Sequence, residues 1–152
     1  MKMRYLPVLK RIFTVAALMA GFTTGSTSAL AQNQAIGFKQ GMPFSEAYVA
    51  GNTLYVAGMQ GRDEHGSVAG LDITAQTTNT IAAIKKTVEG AGFKMTDIVS
   101  ATVFVTSLDE VPKMNEAYKA LIPDPKPARA TVQVAGLIGG AKIEISVIAV
   151  KH

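Results

Sequence analysis

Cysteine and tryptophan are both absent from the 152 residues. Without cysteine there are no disulfide staples, no thiolate zinc or iron–sulfur sites and no thiol nucleophile. Histidine is nearly absent as well. His65 and His152 are far apart in the chain and make neither a metal site nor a catalytic triad. Charged residues are sparse, at 17%, while 48% of the chain is hydrophobic, which excludes intrinsic disorder. The formal charge of +4 gives a basic pI that points to nucleic acid or an anionic membrane. Its distribution removes that reading. Lys2, Arg4, Lys10 and Arg11 lie in the first 31 residues, which hold no acid, and the remaining 11 basic and 11 acidic residues cancel.

The N-terminus has the pattern of an address. A basic stretch precedes the uncharged run Ile12–Phe22, then small polar residues, then Ala29-Leu30-Ala31. That order is the n-region, h-region and A-x-A site of a secretory leader. The run is 11 residues long, against about 20 for a membrane span. Cleavage after Ala31 is therefore expected, leaving 32–152 as a single domain that is periplasmic or secreted and has no stable membrane span.

In that domain, residues 32–43 read as a polar lead-in. Ala47–Ala50 and Leu54–Ala57 flank Gly51-Asn52-Thr53 as a hairpin. Four glycines between 58 and 71 mark a loop whose tip, Asp63-Glu64-His65, reads as solvated. Ile73, Thr77, Ile81, Ile84 and Val88 recur every three or four residues, one face of a helix with Asp72 as its N-cap and Gly90 and Gly92 at its end. Ile98–Thr106 is a β-branched strand. Ser107 and Glu110 have capping-box spacing before a second helix with the stripe Val111, Met114, Tyr118 and Leu121, ended by Pro123, Pro125 and Pro127. Arg129–Val134 and Ile143–Val150 are the last strands. The order β-β-α-β-α-β-β predicts an α+β fold, a mixed sheet with two helices on one face. The opposite face is then polar, or covered by another subunit.

Chemistry concentrates in the last two strands. Paired as a hairpin about Leu137 and Ile138, they set Arg129 opposite Ser146, Thr131 opposite Glu144 and Gln133 opposite Lys142, all on one face, with the apolar residues on the other. Arg129 and Glu144 then sit diagonally, about 7–8 Å apart. An arginine holds a carboxylate by two parallel hydrogen bonds, and a glutamate takes a proton from water. The pair reads either as a site for a small carboxylic acid or as a cross-strand ion pair on a wet face.

Pro127-Ala128-Arg129-Ala130-Thr131-Val132, then Ala135, Leu137 and Ile143-Glu144-Ile145, resemble the signature of the RidA (YjgF) family. The resemblance spans most of 42–151, including Gly51-Asn52, Val103-Phe104-Val105 with Asp109, and Met114-Asn115-x-x-Tyr118. It implies a chorismate-mutase-like fold, a homotrimer with ligand clefts between subunits, and hydrolysis of 2-imino or enamine acids to 2-oxo acids and ammonia without metal or cofactor. It places carboxylate binding on Arg129, water activation on Glu144, and the cleft on Thr131, Gly58, Phe44 and Asn115. Two departures stand out. Phe44 takes the place of a tyrosine, and Ala57-Gly58-Met59 that of Ser-Gly-Gln, which leaves Gln60 displaced by one. A non-catalytic binder of small carboxylates, or a stress-related interaction protein on the same trimer, is the alternative. The ribonuclease activity attributed to some members fits poorly with a neutral chain beyond residue 31, so no nucleic-acid partner is expected.

Overall fold

A computed structural model describes residues 33–151. The expected leader, its cleavage point and His152 lie outside the described residues. β1 (Gln34–Ile36), β2 (Ala47–Ala50), β3 (Thr53–Gln60), α1 (Ile73–Gly90), β4 (Ile98–Val105), α2 (Val111–Leu121), β5 (Ala128–Gln133) and β6 (Ile143–Val150) follow in chain order. They form a six-stranded sheet ordered β1-β2-β3-β6-β4-β5, in which β4 and β5 run parallel and every other pair is antiparallel. The α+β class, the two helices and the Gly51-Asn52 hairpin are as the pattern predicts. One element is new: the polar lead-in contains β1, paired to β2 through Gln34–Ile36.

α1 begins where Asp72 accepts a hydrogen bond from the Ala75 amide at 2.8 Å. It buries Ile73, Thr77, Ile81, Ile84 and Val88, the face anticipated from spacing. Thr77 and Thr80 return their hydroxyls to the carbonyls four residues back, so they enter the core without orphaned donors. α2 starts differently from the expected capping box. Ser107 caps a single 3-10 turn at Leu108–Glu110 by accepting from the Asp109 amide. Glu110 is drawn away by Lys142, whose Nζ donates to it at 2.7 Å. A partly buried charge partner outcompetes the local cap.

Both helices pack on one face of the sheet. Along β6, Ile143, Ile145, Val147 and Ala149 are no more than 2% exposed, while Glu144, Ser146, Ile148 and Val150 on the alternate face are half-buried. Each fully buried aliphatic side chain contributes about 1.5–3 kcal/mol, so the helix-covered face holds the fold. The other face carries Tyr48, Tyr55, Ser100, Thr102, Ser146 and Ile148 in register, with no element of the described chain over it.

The register overturns the expected hairpin. β5 does not pair with β6. It reaches β4 through α2 as a parallel crossover, and β4 lies between β5 and β6. Arg129 therefore does not face Ser146, nor Thr131 Glu144, nor Gln133 Lys142. The alternation that suggested the hairpin is real, but it suits any neighbour with the same period. The inversion has a local cause as well. Arg129, Thr131 and Gln133 share the face of Ala101, Val103 and Val105, yet β5 is a sheet edge where helix cover thins, so Arg129 and Gln133 stay exposed on an otherwise apolar face.

Candidate active site

Arg129 lies in register with Ala101, which is in register with Val147 on the helix-covered face. Glu144 lies in register with Phe104 and Gln60 on the open face. The two residues expected to share a site thus sit on opposite faces of one sheet, with β4 between their strands. Each organises its own polar cluster.

The Arg129 guanidinium rests 4.6 Å from the centroid of the Tyr118 ring and donates from Nη2 to Asn115 Oδ1 at 2.7 Å. Both partners come from α2, one turn apart, which is why they meet the same side chain. Stacking and the amide together hold the guanidinium plane, and its other donors meet no side-chain acceptor among the described residues. These groups line a hollow of about 440 Å³ with Lys119, Asp124 and Lys126. The Tyr118 hydroxyl is buried with no hydrogen-bond partner among the described residues. Burial pushes its phenol above the ordinary value of 10.0, against a smaller pull downward from the Arg129 charge.

Glu144 lies in a second cleft of about 500 Å³, lined by Phe44, Gly58, Met59, Gln60, Arg62 and Ile138. β3 bulges between Val56 and Met59, so that Met59 meets Ile145 and Gln60 meets Glu144. Glycine at position 58 leaves room for the Glu144 carboxylate to lie across the bulge, where a Cβ would displace it. Gln60 Nε2 donates to Glu144 Oε2 at 2.9 Å. The cleft thus has a polar part, to which Phe44 and Ile138 add apolar surface, while Met59, in register with Ile145, packs against the buried core.

The expected residues sort cleanly between the two clusters. Asn115 joins Arg129, while Gly58 and Phe44 join Glu144. Thr131 is half-buried on β5, two residues from Arg129 and on its face. Sequence reasoning missed Tyr118 as a stacking partner, Arg62 and Ile138 as cleft residues, and the restoration of Gln60 to the Glu144 register. The run Ala57-Gly58 is a signal for a bulge, and it could have placed Gln60. Among the described residues, no group of three His, Asp or Glu side chains converges as a metal site.

Residues 35–151 match the family described as endoribonuclease L-PSP. A RutC family protein of Pyrococcus horikoshii is 37% identical over 111 residues, which are 72% of this chain and 88% of that protein. A 2-iminobutanoate/2-iminopropanoate deaminase of Dermatophagoides farinae is 34% identical over 110 residues, 71% and 85% of the two chains. Among solved structures, RidA from the Antarctic bacterium Psychrobacter sp. PAMC 21119 superposes with a TM-score of 0.71 at 33% identity, covering 78% of this chain and 99% of that one. TdcF of E. coli with bound serine superposes at 0.70 and 30% identity, covering 78% and 94%.

Proposed function

The chain belongs to the endoribonuclease L-PSP family, the RidA/YjgF family, and from that premise we propose that it hydrolyses 2-imino acids to 2-oxo acids and ammonia in clefts between three copies. One observation carries the reading: Arg129 and Glu144 lie on opposite faces of one sheet, each lining an open hollow of its own. A second copy completes both. The Arg129 hollow of one subunit closes over the Glu144 cleft of its neighbour. Two further features favour assembly. Among the described residues the outer edge of β5 has no strand partner, and unpaired edges are normally covered. The open sheet face carries exposed Tyr48 and Tyr55 and half-buried Ile148, with no cover among the described residues.

In the assembled cleft Arg129 holds the substrate carboxylate, its plane fixed by Tyr118 and Asn115. The outer edge of β5 at Thr131 offers main-chain groups nearby. Glu144 takes a proton from water as the water oxygen bonds to the imine carbon. That proton passes to the nitrogen. The hydroxyl of the resulting carbinolamine gives up its own proton to the nitrogen as the carbon–nitrogen bond breaks. Ammonia leaves carrying both protons of the water, and the 2-oxo acid remains. Phe44 and Ile138 offer apolar surface suited to an apolar side chain on the substrate. The relative named as a 2-iminobutanoate/2-iminopropanoate deaminase supports the reaction class, and the serine-bound TdcF supports an amino-acid-like ligand. Residues 1–31 act in this reading as an export leader cut after Ala31, and a mature chain that starts at Gln32 by mass spectrometry is the expected result.

The test is turnover of imino acids generated by an amino-acid oxidase. Wild type should accelerate 2-oxo acid release. Arg129→Ala and Glu144→Gln should each lose about 100-fold or more. Mixing the two inactive variants, unfolded and refolded together, should restore part of the activity, because a mixed trimer contains a cleft with an intact Arg129 and an intact Glu144. Lack of recovery would sink the shared cleft. Lack of turnover by wild type, with 2-oxo acid binding retained, would leave a carboxylate-binding protein.

A further inference from the structure

The Glu144 carboxylate is held by Gln60, which is held in turn by Arg62, and none of the roles above uses either side chain. Gln60 Nε2 donates to Glu144 Oε2 at 2.9 Å. Arg62 Nη2 donates to Gln60 Oε1 at 3.1 Å, and Arg62 Nη1 donates to the Gly66 carbonyl at 2.9 Å. Arginine has donors only, and an ionised carboxylate accepts only. The orientation of the Gln60 amide follows from that. Its oxygen must face Arg62 and its nitrogen must face Glu144, since the flipped amide sets donors against donors and oxygen against oxygen. A cation two residues along the chain therefore selects which atom touches the carboxylate.

The backbone under this chain of contacts is pinned. A Cβ at Gly61 would overlap the Gln76 carbonyl, so the strand end lies directly against α1. Asn79 Nδ2 donates to the Arg62 carbonyl at 3.1 Å. Gln76 donates to the Val68 and Leu71 carbonyls and accepts from the Lys142 amide at 2.8 Å, tying the loop after β3 to the start of β6. Both ends of the relay are thereby anchored to the same helix. On the carboxylate itself, Oε2 is occupied by Gln60, while Oε1 lies over the bare α-carbon of Gly58.

We propose that Arg62 and Gln60 form a positioning relay that aims Glu144, occupying Oε2 so that Oε1 alone receives the proton from water. The proposal rests on the hydrolytic reading above. Gln60 is the residue that register recovers: the bulge in β3 carries it past Met59 and sets it opposite Glu144. Neither side chain needs to touch substrate for this role.

The test uses kinetics and crystallography together. Gln60→Leu should lower kcat about 10- to 100-fold, the effect of losing a charge-assisted hydrogen bond at the reacting group, with KM changed less than about twofold. Arg62→Met should lower kcat by a smaller factor, and should have no further effect in the Gln60→Leu background, because Arg62 acts only through the amide. A crystal structure of Gln60→Leu should show Glu144 displaced from Gly58. Unchanged kcat in Gln60→Leu, additive losses in the double variant, or an undisplaced Glu144 would each overturn the relay. If wild type turns over no imino acid, the hydrolytic reading fails on its own, and the position of Glu144 in that crystal structure still decides whether the relay exists.

Discussion

The two faces of β6 are built from alternate residues of one strand and do different work. Ile143, Ile145, Val147 and Ala149 lie on the face covered by α1 and are sealed from water. Glu144, Ser146 and Ile148, one residue out of phase, are half-buried and meet no other layer among the described residues. Burial on the first face holds the monomer together. Incomplete burial on the second leaves a carboxylate and an apolar surface available to another copy. One strand therefore supplies both fold and site, and a side chain's position in the alternation decides which.

The sharpest way to break this contrast is a paired substitution. Ile145→Ala should cost about 2–5 kcal/mol in urea unfolding, through lost burial and a cavity in a packed core. Ile148→Lys, three positions along on the open face, should leave monomer stability nearly unchanged and instead shift the sedimenting species from trimer to monomer, since it adds a charge where a copy would pack. Equal destabilisation of the monomer by both would mean that the open face is already satisfied within one chain.

A smaller effect concerns the Arg129 side. The Tyr118 hydroxyl is buried without a partner, and an unsatisfied buried group costs about 1–3 kcal/mol. Tyr118→Phe should therefore stabilise the protein by about 1 kcal/mol while keeping the ring under Arg129. The pH dependence has a definite sign. The phenol holds its proton more tightly in the folded chain than at its ordinary value of 10.0. Its contribution is fully present below about pH 10 and is lost as pH rises through the raised folded value. Thermal unfolding between pH 9 and 11 should show a steeper fall for wild type than for Tyr118→Phe. Parallel curves would place the alkaline loss elsewhere.

Much of the architecture was legible because local rules and tertiary packing agree. Asp72 caps the helix that its side chain predicts, and the Ile73-to-Val88 stripe is the buried face. The Ser107 box was half right, because Glu110 finds a better partner in Lys142, 32 residues away, than in its own helix start. The β5–β6 hairpin was wrong for a related reason. Two strands of matching alternation look like partners, and only the crossover through α2 makes β5 parallel to β4. Arg129 and Glu144 were correctly singled out, but as a diagonal pair on one face. Their true separation follows from strand order, which leaves no trace in alternation.

By itself, the sequence determined every element but β1, the buried face of α1, the family and the two charged residues around which the polar clusters form, because helix and strand periods are written residue by residue. On α2 it identified Met114 and Tyr118 correctly, but Leu121 is exposed. Tertiary structure decided what those residues can do together. Inserting β4 between β5 and β6 put Arg129 and Glu144 on opposite faces, and the bulge at Gly58 moved Gln60 into register with Glu144. Both depend on which strands become neighbours, and that is settled by packing across the whole sheet rather than by any local run.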